Sequence, residues 1–155
     1  MTRPCFPTMR SQISQVVADT GSWEQSAAFR LEAANDGVAC YAKNDHLCLQ
    51  IPYDLYGVLH MYVPDFLVKL RNGQMLLLET KGWQTEPDRA KYAGAERWVQ
   101  AVNNWLGRPV WLLRECRDPQ MIGVLVRGLV AENGRVADGR AAPRYDGPSV
   151  ESSIP

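Results

Sequence analysis

The stretch YVPDFLVKLRNGQMLLLETKG (62–82) decides the fold. Two apolar runs flank Arg71-Asn72-Gly73, so the segment predicts a β-hairpin with arms near 60–70 and 74–81. Two turns compete. A two-residue loop at Asn72-Gly73 pairs Arg71 with Gln74 and leaves Asp65 and Glu79 on opposite faces. A three-residue loop, with Gly73 left-handed in a G1 bulge, pairs Leu70 with Gln74 and sets Asp65 across from Glu79. The apolar pattern favours the second. It gathers Phe66, Val68, Leu70, Leu76 and Leu78 on one face. Asp65, Leu67, Lys69, Met75, Leu77, Glu79 and Lys81 fall on the other. A slip of one residue would carry every side chain to the wrong side.

That second face is apolar in the middle and charged at its ends. Carboxylates facing each other at about 5 Å between Cβ atoms repel unless a cation lies between them. Lys81 supplies one positive charge against two acids. A hard divalent cation fits better, because Mg²⁺ takes one or two carboxylates, keeps several waters and leaves room for a phosphate. The Thr80 carbonyl is placed to join Asp65 and Glu79 as a ligand. Lys81 beside it could orient a water and steady charge on a phosphate. These are the parts of metal-assisted phosphodiester hydrolysis.

The rest of the chain frames the hairpin. Ser22-Trp23-Glu24-Gln25 opens a helix with Ser22 as N-cap, and Trp23, Ala27, Ala28 and Leu31 recur on one face. Gly37 suits a left-handed end to it. VACYAK (38–43) reads as a strand, LCLQIPY (47–53) as extended, and 54–57 as a turn. Thr85-Glu86-Pro87-Asp88 starts a helix that runs to about Leu106, buries Trp98, Val99, Val102, Trp105 and Leu106, and closes at Gly107. PVWLLRE (109–115) reads as a buried strand. Asp118-Pro119 opens a short last helix, interrupted by Gly123 and Gly128. The expected division is a lead-in at 1–17 with little pattern, one domain at 18–130, and a disordered tail at 131–155. The order helix, strand, strand, strand, helix, strand gives an α/β fold with a mixed sheet flanked by helices.

Composition narrows the function classes. With 155 residues and a formal charge of zero, the chain is one globular domain and not a tight, free-standing DNA binder. Its positive surplus, nine Lys/Arg against six Asp/Glu, falls in 61–117, around the hairpin. No apolar run is long enough to span a bilayer, and MTRPCFPTMR has no signal-peptide core, so a cytoplasmic protein without a membrane partner is expected. Cys5, Cys40, Cys48 and Cys116 have no metal-site spacing and read as reduced thiols. His46 and His60 lack zinc-ligand spacing and read as structural.

Pro64-Asp65 followed by Glu79-Thr80-Lys81-Gly82 resembles the core motif of the PD-(D/E)xK nuclease superfamily. More narrowly, SWEQ (22–25), KNDHL (43–47), IPY (51–53), YVPDF (62–66), ETKG (79–82) and ERWVQAVNNW (96–105) resemble the C-terminal endonuclease domain of type III restriction enzyme Res subunits. The likeness runs from about residue 18 to 118. It implies a restriction-endonuclease-like core with a four-stranded mixed sheet. It also implies Mg²⁺-dependent cleavage of double-stranded DNA, with Mn²⁺ as a substitute metal. Asp65 and Glu79 would be metal ligands, Lys81 the catalytic lysine, and Glu24 an acid completing the cluster. Glu24 also reads as an ordinary first-turn acid favouring the helix dipole, and Glu32 is its competitor as a ligand.

Lys91, on the helix after the motif, is either a solvated lysine or a contact to a DNA phosphate. Lys43 and Asn44 form either a DNA-facing strand end or a turn. Res subunits carry a helicase-type motor and act with a modification methyltransferase. This sequence has no G-x-x-x-x-G-K-[ST] loop, so ATP-driven translocation is not expected of it, and any motor would be a partner subunit. A detached domain, a fragment of a split gene and a stand-alone nuclease all remain open. So do a non-catalytic DNA-associated module and a repair or resolvase-type nuclease of the same superfamily.

Overall fold

The computed structural model describes residues 5–11, 15–17, 22–45, 47–80 and 85–136. In chain order the elements are β1 (Cys5–Pro7), β2 (Gln15–Val17), α1 (Ser22–Ala33), β3 (Val38–Lys43), β4 (Ile51–Leu55), β5 (Val58–Tyr62), β6 (Phe66–Leu70), β7 (Met75–Glu79), α2 (Glu86–Leu106), β8 (Trp111–Glu115) and α3 (Ile122–Val136). The main sheet has four strands in the order β3-β6-β7-β8. β3, β6 and β7 are antiparallel neighbours; β8 returns parallel to β7 after the α2 crossover. The expected α/β class, with a four-stranded mixed sheet flanked by helices, is what forms.

The hairpin takes the bulged register. Phe66 pairs with Leu78, Val68 with Leu76 and Lys69 with Met75. The Leu70 N–H donates to the Gln74 carbonyl at 2.8 Å, the Gly73 N–H donates to the Leu70 carbonyl at 3.0 Å, and Gly73 has φ +87°. A positive φ of that size carries little cost only for glycine. One face therefore buries Phe66, Val68, Leu70, Leu76 and Leu78 against Ala27, Ala28 and Leu31 of α1 and Ile122, Val126 and Leu129 of α3. Leu77, on the other face, packs with Ile51, Tyr53, Tyr62, Ala95 and Leu113 in a second cluster. α1 and α3 thus cover one side of the sheet, and α2 with the β4–β5 pair covers the other.

Several expectations give way. The first arm is not continuous over 60–70. Residues 58–62 form β5, which turns back on β4 through Tyr56-Gly57, both at positive φ, and only Phe66–Leu70 joins the main sheet. The turn expected at 54–57 is correspondingly shorter, since β4 runs through Leu55. Gly37 is not left-handed; its role is close approach, because a Cβ there would lie 2.3 Å from Val126 Cγ1. Trp23 is partly exposed, unlike Ala27, Ala28 and Leu31 on the same helix. The expected Ser22 cap involves a side chain outside the described ones.

Helix α2 is capped as its sequence predicts. The Thr85 hydroxyl accepts from the Asp88 N–H at 3.3 Å, Asp88 Oδ2 accepts from the Thr85 N–H at 3.1 Å, and Gly107 closes the helix at φ +65°. Its apolar stripe is covered only in part. Trp98 meets Trp111 edge to face at 5.0 Å, but Trp105 is 84 % exposed and Leu106 is also exposed. β8 is half-buried rather than buried, as suits an edge strand. Helix α3 passes through Gly123 and Gly128 and continues to Val136, inside the segment expected to be disordered from 131. Ile122, Val126 and Leu129 lie one turn apart on its buried side, and that packing outweighs the weak helix propensity of the glycines. Residues 137–155 lie outside the described ones.

The lead-in also has more structure than its pattern suggested. β1 and β2 pair antiparallel, Ser11 bridges to Tyr41 at the β3 edge, and Glu32 accepts the Met9 N–H at 2.7 Å and the Arg10 N–H at 3.1 Å.

Candidate metal-binding site at the hairpin end

The open end of the β6–β7 hairpin gathers the acids. The register that pairs Phe66 with Leu78 sets Asp65, one residue earlier, opposite Glu79, the last residue of β7. By alternation both belong to the face of Leu67 and Leu77, beneath α2.

Asp65 is held firmly. Its Oδ2 accepts from the Thr80 N–H at 2.9 Å and from the Thr80 hydroxyl at 2.7 Å. Its carbonyl accepts the Asn44 N–H at 2.9 Å. Asn44 is itself buried and clasps the next turn, donating to the Leu49 carbonyl at 2.8 Å and accepting the Leu49 N–H at 3.2 Å. Asn44 lies in the turn that follows β3. Pro64 is buried just before.

Glu79 is held from the other hairpin. The Tyr62 hydroxyl, at the end of β5, donates to Glu79 Oε2 at 2.6 Å. The Glu79 carbonyl accepts the Cys116 N–H at 2.7 Å, which ties the strand end to the chain leaving β8. Burial and then the charge of Asp65 push the Glu79 carboxyl up to about 7. The Tyr62 hydroxyl, the Lys91 ammonium and the Asp65 backbone N–H act in the opposite direction.

Lys91 on α2 therefore faces the same end of the sheet, while also bonding Asp88 Oδ1 at 3.3 Å. A half-buried pair of facing carboxylates, Asp65 fixed by Thr80 and Glu79 by the Tyr62 hydroxyl and the Asp65 N–H, suits a hard cation that brings its own waters. Thr80 contributes to the site through its N–H and hydroxyl, which orient Asp65.

Glu24 and Lys43 lie apart from the two acids. Glu24 Oε2 pairs with Lys43 Nζ at 3.0 Å, and Asp45 Oδ2 is 2.9 Å from the same nitrogen. Lys43 pairs in register with Phe66, so it projects to the α1 side of the sheet, away from the Asp65 face. Burial works against its charge, yet the hydrogen bonds it donates to Asp45 and Glu24 raise its pKa, and its charge is matched locally. Among the described residues no three His, Cys, Asp or Glu side chains converge as a metal-ligand group, so Glu24 is not gathered with Asp65 and Glu79. Glu32, its competitor, instead anchors the lead-in. Lys81, with Gly82, lies outside the described residues, as does His46. His60 is exposed and stacks on Tyr53 at 5.5 Å.

Tyr62 is the residue that sequence reasoning passed over. It stands first in the deciding stretch, but its partner is on a strand end seventeen residues away, and nothing in the spacing announces the bond. Among the described residues no helix is long and apolar enough to cross a membrane. Compared with protein-family models, curated proteins and solved structures, the chain gives no match.

Proposed function

We propose that the chain is a Mg²⁺-dependent DNA endonuclease domain with a PD-(D/E)xK core, of the kind found at the C-terminus of type III restriction Res subunits. One observation carries this reading: Asp65 and Glu79 face each other across the hairpin, and burial with mutual repulsion pushes Glu79 up to about 7. Two acids so arranged favour a divalent cation between them over solvent.

Each residue then has a role. Asp65 and Glu79 would hold the metal, with the Thr80 carbonyl as a further ligand; the Thr80 hydroxyl fixes the Asp65 carboxylate. Magnesium held there would polarise a phosphodiester and make a bound water more acidic. The resemblance gives Lys81 the part of the catalytic lysine, whose ammonium would orient the attacking water and steady charge on the phosphate. Lys91 faces Glu79 from α2 and offers a contact to the DNA backbone. The resemblance assigns Glu24 to the same cluster; its ion pair with Lys43 means it would have to exchange partners to join. With zero net charge, the domain would take much of its affinity for double-stranded DNA from a translocase subunit acting with a modification methyltransferase.

The test is cleavage of plasmid DNA with Mg²⁺ or Mn²⁺. Nicking or linearisation by the unaltered chain, abolished in Asp65→Asn and in Lys81→Ala while both variants fold, is the expected result. Cleavage retained in Lys81→Ala would end the proposal. Divalent-cation binding without cleavage, even with a motor partner, would favour a non-catalytic DNA-associated module. Preference for branched over linear duplex would point instead to a resolvase-type enzyme.

A further inference from the structure

The β4–β5 hairpin ends at the candidate site. Tyr62 closes β5, pairs with Ile51, is 4 % exposed, and lies in the cluster with Tyr53, Leu77, Ala95 and Leu113. Its ring is fixed by that packing, and its hydroxyl donates to Glu79 Oε2 at 2.6 Å. Two readings are available. The bond could merely satisfy a buried hydroxyl. Alternatively, it could aim a carboxylate that has work to do. The partner decides between them. A hydroxyl needing an acceptor finds one in any carbonyl. Here it meets the carboxylate that faces Asp65 across the sheet, and it binds only one of its oxygens.

We infer that Tyr62 is a positioning residue for the cation site, holding Glu79 Oε2 and so fixing, together with the Asp65 N–H, the carboxylate that would share a divalent cation with Asp65. This deepens the reading above and rests on it. A glutamate carboxylate has free torsions that must be frozen when it coordinates a metal. A rigid donor on the neighbouring hairpin freezes them beforehand, so cation binding no longer bears that cost. Outer hydrogen bonds to ligating side chains commonly change metal affinity by about 10–100-fold. Thr80 does for Asp65 what Tyr62 does for Glu79, but from within the same hairpin.

The experiment compares the unaltered chain with Tyr62→Phe, which keeps the ring and removes the hydroxyl. Ca²⁺ binding is followed by calorimetry and by thermal shift, neither of which depends on cleavage. The expected result is a Ca²⁺ dissociation constant raised about tenfold or more in Tyr62→Phe. The Mg²⁺ requirement for cleavage should rise in parallel, with the rate at saturating Mg²⁺ little changed. Ile51→Val loosens the same seat without touching the hydroxyl, so it should lower stability and leave the Ca²⁺ constant unchanged.

An equal Ca²⁺ constant in Tyr62→Phe and the unaltered chain would overturn this inference alone. A rise in Ile51→Val as large as in Tyr62→Phe would do the same, since packing would then be responsible. No Ca²⁺ binding by the unaltered chain would overturn both the inference and the nuclease reading. If Tyr62→Phe does not fold, the ¹³Cζ resonance of Tyr62 in the unaltered chain takes its place. It should move with the Ca²⁺ binding curve, and an unmoved resonance would refute the idea.

Discussion

Two antiparallel hairpins follow one another, and they differ in almost everything except the pairing of their strands. The β4–β5 hairpin turns tightly through Tyr56-Gly57, and four of the five residues of its outer strand are exposed. The β6–β7 hairpin turns through the looser Arg71-Asn72-Gly73 and lies in the middle of the main sheet, with Phe66, Val68, Leu70, Leu76, Leu77 and Leu78 all fully buried. The first hairpin rests on the fold; the second is its centre. What they share is a meeting point, the hydrogen bond from Tyr62 to Glu79. The rigid hairpin presents the acids, and the outer one sets the angle of one of them.

The sharpest way to break that contrast is to truncate one large apolar residue in each. Phe66→Ala should cost about 3–5 kcal/mol, because it opens a cavity between the sheet and the α1/α3 layer. Leu59, 72 % exposed on β5, leaves no cavity when shortened, and Leu59→Ala should change stability by less than about 0.5 kcal/mol. Urea unfolding of both variants measures the difference. Comparable losses would mean that something covers the outer hairpin in solution.

A second, smaller effect tests the meeting point. The Glu79 carboxyl rises from an ordinary 4.5 to about 7 on folding. The folded chain therefore keeps a proton there that the unfolded chain has released. The resulting stabilisation is complete below about pH 4.5 and is lost as pH rises through about 7. At roughly 1.4 kcal/mol per pH unit, the metal-free protein should lose on the order of 3 kcal/mol across that window through this group. Tyr62, Asp65 and Lys91 act on the carboxyl directly, and Glu115 pairs beside it on β8. Glu79→Gln cannot titrate, so its stability should be flatter between pH 5 and 8. An equally steep profile in Glu79→Gln would place the titrating group elsewhere.

The same contrast explains what was legible in the sequence. In β6–β7 the alternating apolar residues of two strands and the glycine of the turn constrain one another, and only one register satisfies all three. In β4–β5 the outer strand is exposed on both faces, so alternation says nothing about which way it points. Val58, Leu59 and Met61 simply extend the apolar run of the next strand. Tyr56 adds to the difficulty, since a tyrosine at φ +54° is not a residue that announces a turn. The ends of α2 were legible because Thr85, Asp88 and Gly107 act locally. Burial of Trp105 was not, because periodicity marks a helix face without saying how far along the helix that face is covered. At the site, Asp65 opposite Glu79 follows from register alone. The Tyr62 bond and the Glu24–Lys43 pair depend on how separate elements dock, which no single segment encodes.

The outer hairpin makes a close approach to α2 at one glycine. Gly94 is buried in α2 where β4 crosses it, and a Cβ there would lie 2.5 Å from Tyr53 Cβ, 3.2 Å from Tyr53 Cα and 3.3 Å from the Pro52 carbonyl. Two of those atoms are backbone, so a rotamer change cannot relieve the crowding. Alanine is worth about 1 kcal/mol over glycine inside a helix. Gly94→Ala therefore sets a local gain against an overpacking cost of about 1–3 kcal/mol. The net expectation is a small loss, about 1 kcal/mol, taken up by movement of β4 away from α2. Amide hydrogen exchange should locate it: the β4 and β5 amides should exchange faster while those of β6 and β7 keep their protection. Because Tyr62 travels with β5, the variant should also weaken Ca²⁺ binding, though less than Tyr62→Phe. If Gly94→Ala stabilises the protein, the hairpin is not seated on that glycine, and the position of Tyr62 must be set from elsewhere.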